Sequence, residues 1–251
     1  MQSLPRNTGQ VFGKEEESFR RTMAEIAVKN RGYARMNPHA KGLMDINVED
    51  VLNSPVVAYP LRALDCCLMS VRASCAILCD EKTDYELTDE PLLVCVSVGS
   101  HTLRLVDCRD MDIPLLPNES PDQYKDRGER FSGWDRYPGF TGFLPARMAG
   151  NMDLTEDLDL VELHDAFIIS DIQSYEDIGI RPYGEGRTYV ESGDYYPTHP
   201  HTGEPGNLSS NLCGGLIGYM HAVCATVIMQ TVEVGQHICG RWAEMNEDQS
   251  K

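Results

Sequence analysis

Two short segments of the sequence carry side chains that could do acid–base chemistry. In the first, Val161–Phe167, an apolar strand is predicted to end at His164 and a helix to begin near Asp165. Functional groups at the carboxyl end of a strand in an α/β sheet face the crevice where ligands bind. His164 is therefore a candidate catalytic residue. On spacing alone a structural interpretation stays open, in which Asp165 caps the helix and His164 is hydrogen-bonded in the turn.

The second segment, Asn211–His221, combines three glycines with a histidine at the predicted start of a long helix. Glycines let the backbone approach a ligand closely or adopt positive φ. The positive end of a helix dipole disfavours imidazolium, so His221 is expected to be neutral near pH 7 and able to act as a base. The alternative is a tight turn between two packed elements, with His221 merely buried.

Two further groups of residues are weaker candidates. Cys213 precedes the Gly-Gly pair of the second segment, and a thiolate near a helix start and an imidazole would be activated. Its distance along the chain from His221 favours a small residue in a tight turn instead. His199 and His201 lie in a Gly/Pro-rich loop without a clear third ligand, so no metal site is predicted.

The elements that must position these residues alternate between helix and strand. Helices are predicted from about Glu15 to Arg31 and from Val48, with Asn47 as its N-cap. Residues 60–80 predict a buried helix running into a buried strand. Later in the chain the pattern predicts two strands and two helices, at Leu92–Val98, Asp159–Leu163, Ala166–Ile178 and Leu216–Ile238. This order favours an α/β layered fold.

The composition narrows the class of protein. The 251 residues carry a net charge of −17, which argues against nucleic acid and anionic membranes as partners because both are polyanions. The nine cysteines form no C-x-x-C pair, so buried free thiols in a reducing compartment are expected. No apolar run reaches the ~18 residues of a membrane span, and we expect a soluble cytoplasmic protein.

On these motifs the chain resembles the thiolase superfamily, and in particular its sterol-carrier-protein type. His164-Asp165-Ala166-Phe167 is similar to the histidine version of the family's active-site motif, and Asn211–His221 to the stretch that runs from Asn-x-Ser-Gly-Gly-Leu to the catalytic histidine. Segments 19–54, 59–80 and 144–242 resemble successive stretches of a thiolase, in the family's order.

The resemblance divides the chain into three parts. Residues 1–56 are similar to the family's loop domain, 57–88 to the end of its N-terminal half and 89–251 to its C-terminal half. The expected architecture is therefore a partial thiolase-like αβα fold.

The resemblance implies acyl transfer, in which a 3-oxoacyl-CoA is formed or cleaved by coenzyme A without a separate cofactor. His221 would activate a cysteine nucleophile, and His164 would help to hold a water or thioester oxygen in an oxyanion hole. One shared site requires the two histidines to lie within ~15 Å of each other. The substrate-binding residues that the resemblance implies are Asn211, Gly214, Gly215, Phe167 and Tyr219.

The chain also departs from the family pattern. The family's two catalytic cysteines fall outside the matched segments, and Met220, Ala222 and Cys224 stand where the family has glycine, proline and glycine around the histidine. We therefore expect a fragment, one part of a split enzyme or a degenerate homologue, with weak or absent thiolase activity when isolated.

Two alternatives stay open. One is a thiolase-like retro-aldolase acting on CoA-linked side chains, which needs proton carriers such as Tyr219 and His221 but no cysteine nucleophile. The other is a non-catalytic subunit. In each case we expect a homo- or hetero-oligomer with a thiolase-like chain, because apolar strands would otherwise stay open.

Overall fold

The computed structural model describes residues 16–41, 43–87, 91, 93, 158–182, 185–198, 202–206 and 208–241. In chain order the elements are α1 (Glu16–Met36), α2 (Val48–Asn53), β1 (Val56–Ala58), β2 (Leu61–Arg62), a 3-10 helix (Ala63–Asp65), α3 (Glu81–Leu87), β3 (Leu160–Val161), α4 (Ile168–Asp177), α5 (Gly186–Ser192), β4 (Ser209–Ser210), α6 (Gly215–Tyr219) and α7 (Thr226–Ile238). The strand predicted at 92–98 lies outside the described residues except for Leu93, and so do His199 and His201.

The elements combine helices with two small sheets, as the α/β prediction requires. Strands β1 and β2 pair antiparallel, and β3 pairs parallel with β4, Val161 lying opposite Ser210. A parallel pair needs a crossover between its strands, and here α4 and α5 lie in that crossover. None of the helices that the structure describes is long and apolar enough to cross a membrane.

Helix α1 is the element around which the others pack. The apolar spacing that predicts it is confirmed: Phe19, Met23, Ile26 and Ala27 are buried. The helix continues past Arg31 because Ala34 extends the same buried face. Helices α2, α4, α5 and α6 all contact it, so α1 joins an element early in the chain to elements of its second half.

The start of α2 follows the prediction made from Asn47. The Asn47 Oδ1 accepts a hydrogen bond from the Asp50 amide at 3.1 Å, and the Asp50 carboxylate accepts one from the Asn47 amide at 2.9 Å. This reciprocal capping box satisfies two amides that a helix N-terminus leaves without intrahelical partners. Val51, one residue further on, fixes the helix to the core and is 1% exposed.

The prediction of a buried helix and strand over residues 60–80 is wrong. Beyond Asp65 the chain has no regular structure up to Asp80, and Val71, Ile77 and Leu78 are exposed. The beginning of this stretch runs beside the second predicted site, since Met69 forms an isolated parallel bridge with His221. An apolar pattern records which side chains favour burial, but not whether a neighbouring element covers them.

The single helix predicted over Leu216–Ile238 is also wrong, because the chain breaks between α6 and α7. Met220 has φ 77° and Cys224 has φ 74°, both in the left-handed region that a right-handed helix cannot contain. His221 consequently lies in the turn between the two helices and not at a helix start. The family's glycines at 220 and 224 would adopt these angles without strain.

Replacing Cys224 by glycine should stabilise the fold. Cys224 is exposed and its positive φ is unfavourable for any residue with a Cβ atom, so Cys224→Gly is expected to raise the free energy of unfolding by about 1 kcal/mol. Cys224→Ala is the matched control, since it removes the thiol but keeps the Cβ atom. Urea unfolding of both variants measures the difference, and equal stabilities would contradict the strained turn.

Candidate active site

The structure brings the two predicted catalytic histidines together. The ring centroids of His164 and His221 lie 5.0 Å apart with an interplanar angle of 88°, an edge-to-face arrangement. His164 follows the carboxyl end of β3 and is exposed, whereas His221 is partly buried in the turn before α7. Both rings can therefore act on one ligand, and the predicted separation of less than ~15 Å is confirmed.

His221 is held through both its backbone and its ring. Its amide donates to the Leu68 carbonyl and its carbonyl accepts from the Ser70 amide, each at 2.8 Å. The ring Nδ1 lies 2.9 Å from the Thr226 hydroxyl, which donates its only proton to the Ala222 carbonyl at 2.8 Å. Thr226 must then accept from Nδ1–H, so the free nitrogen, Nε2, keeps its lone pair and can act as a base.

The charge state of His221 follows from its surroundings. Burial lowers the pKa of His221, and the neighbouring His164 ring lowers it further because a proton on one imidazole disfavours a proton on the other. The expected neutral imidazole is thus supported, although its cause is burial and a second histidine instead of a helix dipole. A neutral base beside a second imidazole is suited to moving a proton to and from a ligand.

Asp165, next to His164, fixes the position of the histidine loop. Its fully buried carboxylate accepts hydrogen bonds from the Leu216 amide at 2.5 Å, the Ile217 amide at 3.5 Å and the Asn30 side chain at 2.8 Å. Asp165 therefore caps α6, from the other segment of the site. The alternative in which it caps the helix that follows it is wrong, because Phe167 occupies the N-cap of α4.

Asn211 is a predicted substrate contact, and both ends of its amide are occupied by the protein. Its Nδ2 donates to Asp171 Oδ1 at 2.9 Å, and its Oδ1 accepts from the Leu163 amide at 2.7 Å. The residue is fully buried at φ 51°, a left-handed angle that asparagine tolerates better than most residues. In this structure Asn211 therefore holds the backbone of Leu163, the residue before His164.

The Gly-Gly pair is explained by close packing. A Cβ atom on Gly214 would lie 2.7 Å from the Cβ of Ala34, and one on Gly215 would lie 2.2 Å from the Asp165 carboxylate. Both residues also have positive φ, 107° and 55°. The glycines let α1 and Asp165 approach the start of α6, and their contact with a substrate stays a prediction.

Cys213 is a structural residue and not an activated thiol. Its Sγ donates to Glu162 Oε2 at 2.8 Å, its amide donates to Glu162 Oε1 at 2.9 Å, and its carbonyl accepts from the Asn37 side chain at 3.0 Å. Burial first, and the Glu162 carboxylate second, raise the pKa of the Cys213 thiol well above its usual range. The thiol is therefore protonated at neutral pH, which supports the interpretation that the sequence favours.

Tyr219 and Phe167 occupy different surroundings. The Tyr219 hydroxyl donates to Glu233 Oε1 at 3.1 Å, and the Arg72 guanidinium lies 4.6 Å from the centre of its ring. Burial raises the pKa of Tyr219, which makes it a poor proton donor near neutrality. Phe167 is 45% exposed beside His164 and is available to a ligand.

The residues that sequence reasoning missed lie on one face of α7. Thr226, Gln230 and Glu233 recur at i, i+4 and i+7 on α7, and all three line one small pocket together with Cys213 and Tyr219. Polar residues at helical spacing on the packed face of a helix indicate partners inside the protein, so this pattern could have identified them. Within the described residues no group of three metal-ligating side chains is present.

Removing the Thr226 hydroxyl should abolish the preference of the His221 ring for one tautomer. Thr226→Val keeps the shape of the side chain, so the ring is expected to lose its preference for Nδ1–H, which the ¹⁵N chemical shifts of the His221 ring report directly. Thr231→Val makes the same change on an exposed position of the same helix and is expected to leave the ring unchanged. Identical ¹⁵N shifts in wild type and Thr226→Val would contradict the assignment.

Glu162 should make stability fall as pH rises. Burial raises the pKa of Glu162 from its ordinary value of 4.5 to about 7, so the folded state binds its proton more tightly than the unfolded state. This contribution is fully present below about pH 4.5 and is lost as pH rises to about 7.

Glu162→Gln keeps an acceptor for Cys213 and should flatten the pH dependence of the free energy of unfolding across that window, measured by urea unfolding at several pH values. Asp165 and Asp171 retain a dependence of the same sign in the variant, because burial also raises the pKa of each, so the slope is expected to decrease and not to vanish. An unchanged slope in the variant would show that Glu162 ionises without cost in the folded protein.

Comparison with known proteins places the chain beside the thiolases. Residues 145–250 match the family model described as thiolase C-terminal domain-like. The chain is 34% identical over 88% of its length to an acetyl-CoA acetyltransferase of Methanothermobacter thermautotrophicus, covering 50% of that protein. It is 31% identical over 81% of its length to the benzoylsuccinyl-CoA thiolase subunit BbsB of Thauera aromatica, covering 46% of it. Sterol carrier protein 2 of Bos taurus is 27% identical over 91% of the chain, which covers 37% of that relative.

A solved structure shares the fold. The chain of the Ltp2-ChsH2(DUF35) aldolase superposes with a TM-score of 0.57 at 20% identity, over 85% of this chain and 50% of that one. The chain thus spans about half or less of the length of these relatives. The resemblance that its motifs predict is confirmed: the chain is thiolase-like, and its residues 145–250 carry a thiolase C-terminal domain-like segment.

Proposed function

We propose that the His164–His221 pair catalyses proton transfer during formation or cleavage of a carbon–carbon bond in a CoA thioester, as a thiolase-like acyltransferase. The observation that carries the proposal is the edge-to-face pair itself, with a centroid distance of 5.0 Å and the Nδ1 of His221 engaged by Thr226. Similarity to thiolases over most of the chain supports the reaction class.

The two histidines take different roles in this proposal. The Nε2 of His221 accepts a proton from the attacking thiol or from the substrate carbon, and the more exposed His164 donates a hydrogen bond to the thioester oxygen where negative charge develops. Cys213 is not the acyl carrier, because its thiol is protonated and held by Glu162. The thiol that takes part in the reaction therefore belongs to another cysteine or to coenzyme A itself.

The substrate lies on the open side of the pair. Met69, Phe167 and Val223, which neighbour the histidines in the chain or through backbone pairing, are exposed by 64%, 45% and 59%. Exposed apolar side chains next to a reactive centre suit an acyl group. Coenzyme A is the proposed substrate or product, with no separate cofactor. Gly214, Gly215 and Tyr219 support the site through contacts inside the protein.

The protein is proposed to work in an oligomer with a thiolase-like chain in the cytoplasm. Several apolar side chains between residues 68 and 78 are exposed, and exposed apolar clusters often mark protein interfaces: Leu68, Met69, Val71, Ile77 and Leu78. One similar protein is named as a thiolase subunit. The cysteines of the described residues are free thiols, which suits a reducing compartment.

A retro-aldolase acting on a CoA-linked hydroxy acid is the second candidate. The observation in its favour is that the pair supplies an acid and a base, whereas the cysteine in the Gly-Gly turn is not a thiolate. Aldol cleavage needs a base for the hydroxyl proton and an acid for the developing enolate, but no nucleophilic cysteine.

Turnover by the full protein, purified with any subunit that co-elutes, tests the proposal. It is assayed with acetoacetyl-CoA plus coenzyme A and, separately, with a 3-hydroxyacyl-CoA. His221→Ala should lower kcat by ~10²–10⁴-fold on whichever substrate is used, since that is the usual contribution of a general base. Cys213→Ala, eight residues before His221 in the sequence, is the control, and its kcat should stay close to that of the wild type.

The outcomes separate the candidates. Thiolysis that needs His221 supports the acyltransferase, and cleavage of only the hydroxy substrate supports the aldolase. Loss of activity in Cys213→Ala would show that the buried thiol is the nucleophile after all. Wild-type rates in His221→Ala would remove the histidine pair from the mechanism.

A further inference from the structure

Leu163, the residue that precedes His164, is held by side chains at both its amide and its carbonyl group. The Leu163 amide donates to Asn211 Oδ1 and the Leu163 carbonyl accepts from Gln230 Nε2, each at 2.7 Å. Leu163 lies beyond the end of β3, so no strand ladder fixes it at this point. Backbone groups of a loop usually pair with water or other backbone, and side-chain partners at both the amide and the carbonyl of Leu163 restrict the backbone of this residue to one orientation.

The Asn211 side chain that accepts from the Leu163 amide is itself held rigidly. Asn211 is fully buried, and its Nδ2 donates to Asp171 Oδ1 at 2.9 Å, which orients the amide so that its oxygen faces Leu163. Asp171 is itself buried on α4, which belongs to the core. The amide cannot rotate without breaking both hydrogen bonds.

Gln230 links the same residue, Leu163, to the second histidine. Gln230 lies one helical turn after Thr226 on α7, and residues at i and i+4 share one face of a helix. Thr226 holds the His221 ring, while Gln230 holds the carbonyl next to His164. One face of α7 therefore fixes both members of the pair.

We propose that Gln230 and Asn211 are positioning residues that clamp Leu163 and thereby hold the His164 ring against His221. The inference deepens the proposed function and rests on it for its catalytic meaning, but the geometry stands without it. Gln230→Leu keeps the bulk of the side chain and removes the shorter of two hydrogen bonds to the Leu163 carbonyl, which then keeps only the Asp165 amide at 3.2 Å. His164 is thereby free to move away from His221.

The loss of the clamp has a signature that a general loss of stability would not give. His164 contributes to the lowered pKa of His221, so separating the rings should raise the NMR titration midpoint of His221 towards its ordinary value. Cross-peaks between the two rings should weaken at the same time. If the proposed reaction is present, kcat should fall by ~10-fold or more with KM nearly unchanged, because orientation and not binding is lost.

The test compares the NMR titration of His221 in the full protein and in two variants, with resonances assigned through His164→Gln and His221→Gln. Gln230→Leu is expected to shift the His221 midpoint upwards and to weaken the cross-peaks. Gln236→Leu is the matched control on the same helix and should leave both unchanged. An unaltered His221 midpoint in a folded Gln230→Leu protein would overturn the clamp.

A second measurement covers the case in which Gln230→Leu does not fold. In the native protein the Leu163 amide should exchange its hydrogen with solvent slowly, because its acceptor is a fully buried side chain. Rapid exchange of this amide would also overturn the proposal. Neither measurement depends on turnover, so an inactive protein would contradict the proposed function and leave the clamp standing.

Discussion

The buried Asp165 carboxylate is the interaction on which the arrangement of the site depends. It joins three segments that are far apart in the chain: its own histidine loop, the start of α6 through Leu216 and Ile217, and α1 through Asn30. Burying a carboxylate is costly, and burial raises the pKa of Asp165 accordingly. Several donors aimed at one carboxylate offset that cost, so the contact fixes His164 relative to the turn that carries His221.

The turn around His221 shows how the rest of the fold maintains that arrangement. Met220 and Cys224 flank the histidine with positive φ, at a cost that glycine would avoid. Such angles persist only where the surroundings determine the backbone, and here the hydrogen bonds to Leu68 and Ser70 do so. The chain thus adopts these backbone angles around its histidine even though the residue types at 220 and 224 disfavour them.

The sequence predicts those features of the fold that depend on residues close together in the chain. The amphipathic helix α1 and the Asn47 cap depend on neighbours within one or two turns, and both were confirmed. The closeness of His164 and His221 followed from motif order and the family resemblance, not from spacing. The roles of Gln230 and Glu162 depend on contacts between distant segments, which no local pattern contains.

The two incorrect predictions also arise because contacts between distant segments decide the structure at those positions. Propensity favoured one helix over Leu216–Ile238, but tertiary contacts impose the left-handed angles that break it. The apolar stretch after Asp65 favoured burial, yet exposure is set by what packs against it, and in the described part of the chain Val71 and Ile77 stay uncovered.

The central claim is that His164 and His221 form one acid–base unit, and a double-mutant cycle on kcat/KM of the full protein tests it most directly. Residues that act on the same proton transfer are strongly non-additive. The account predicts that His164→Ala combined with His221→Ala costs little more than the more damaging single change. Losses that multiply would show that the two rings, 5.0 Å apart, act independently and would contradict it.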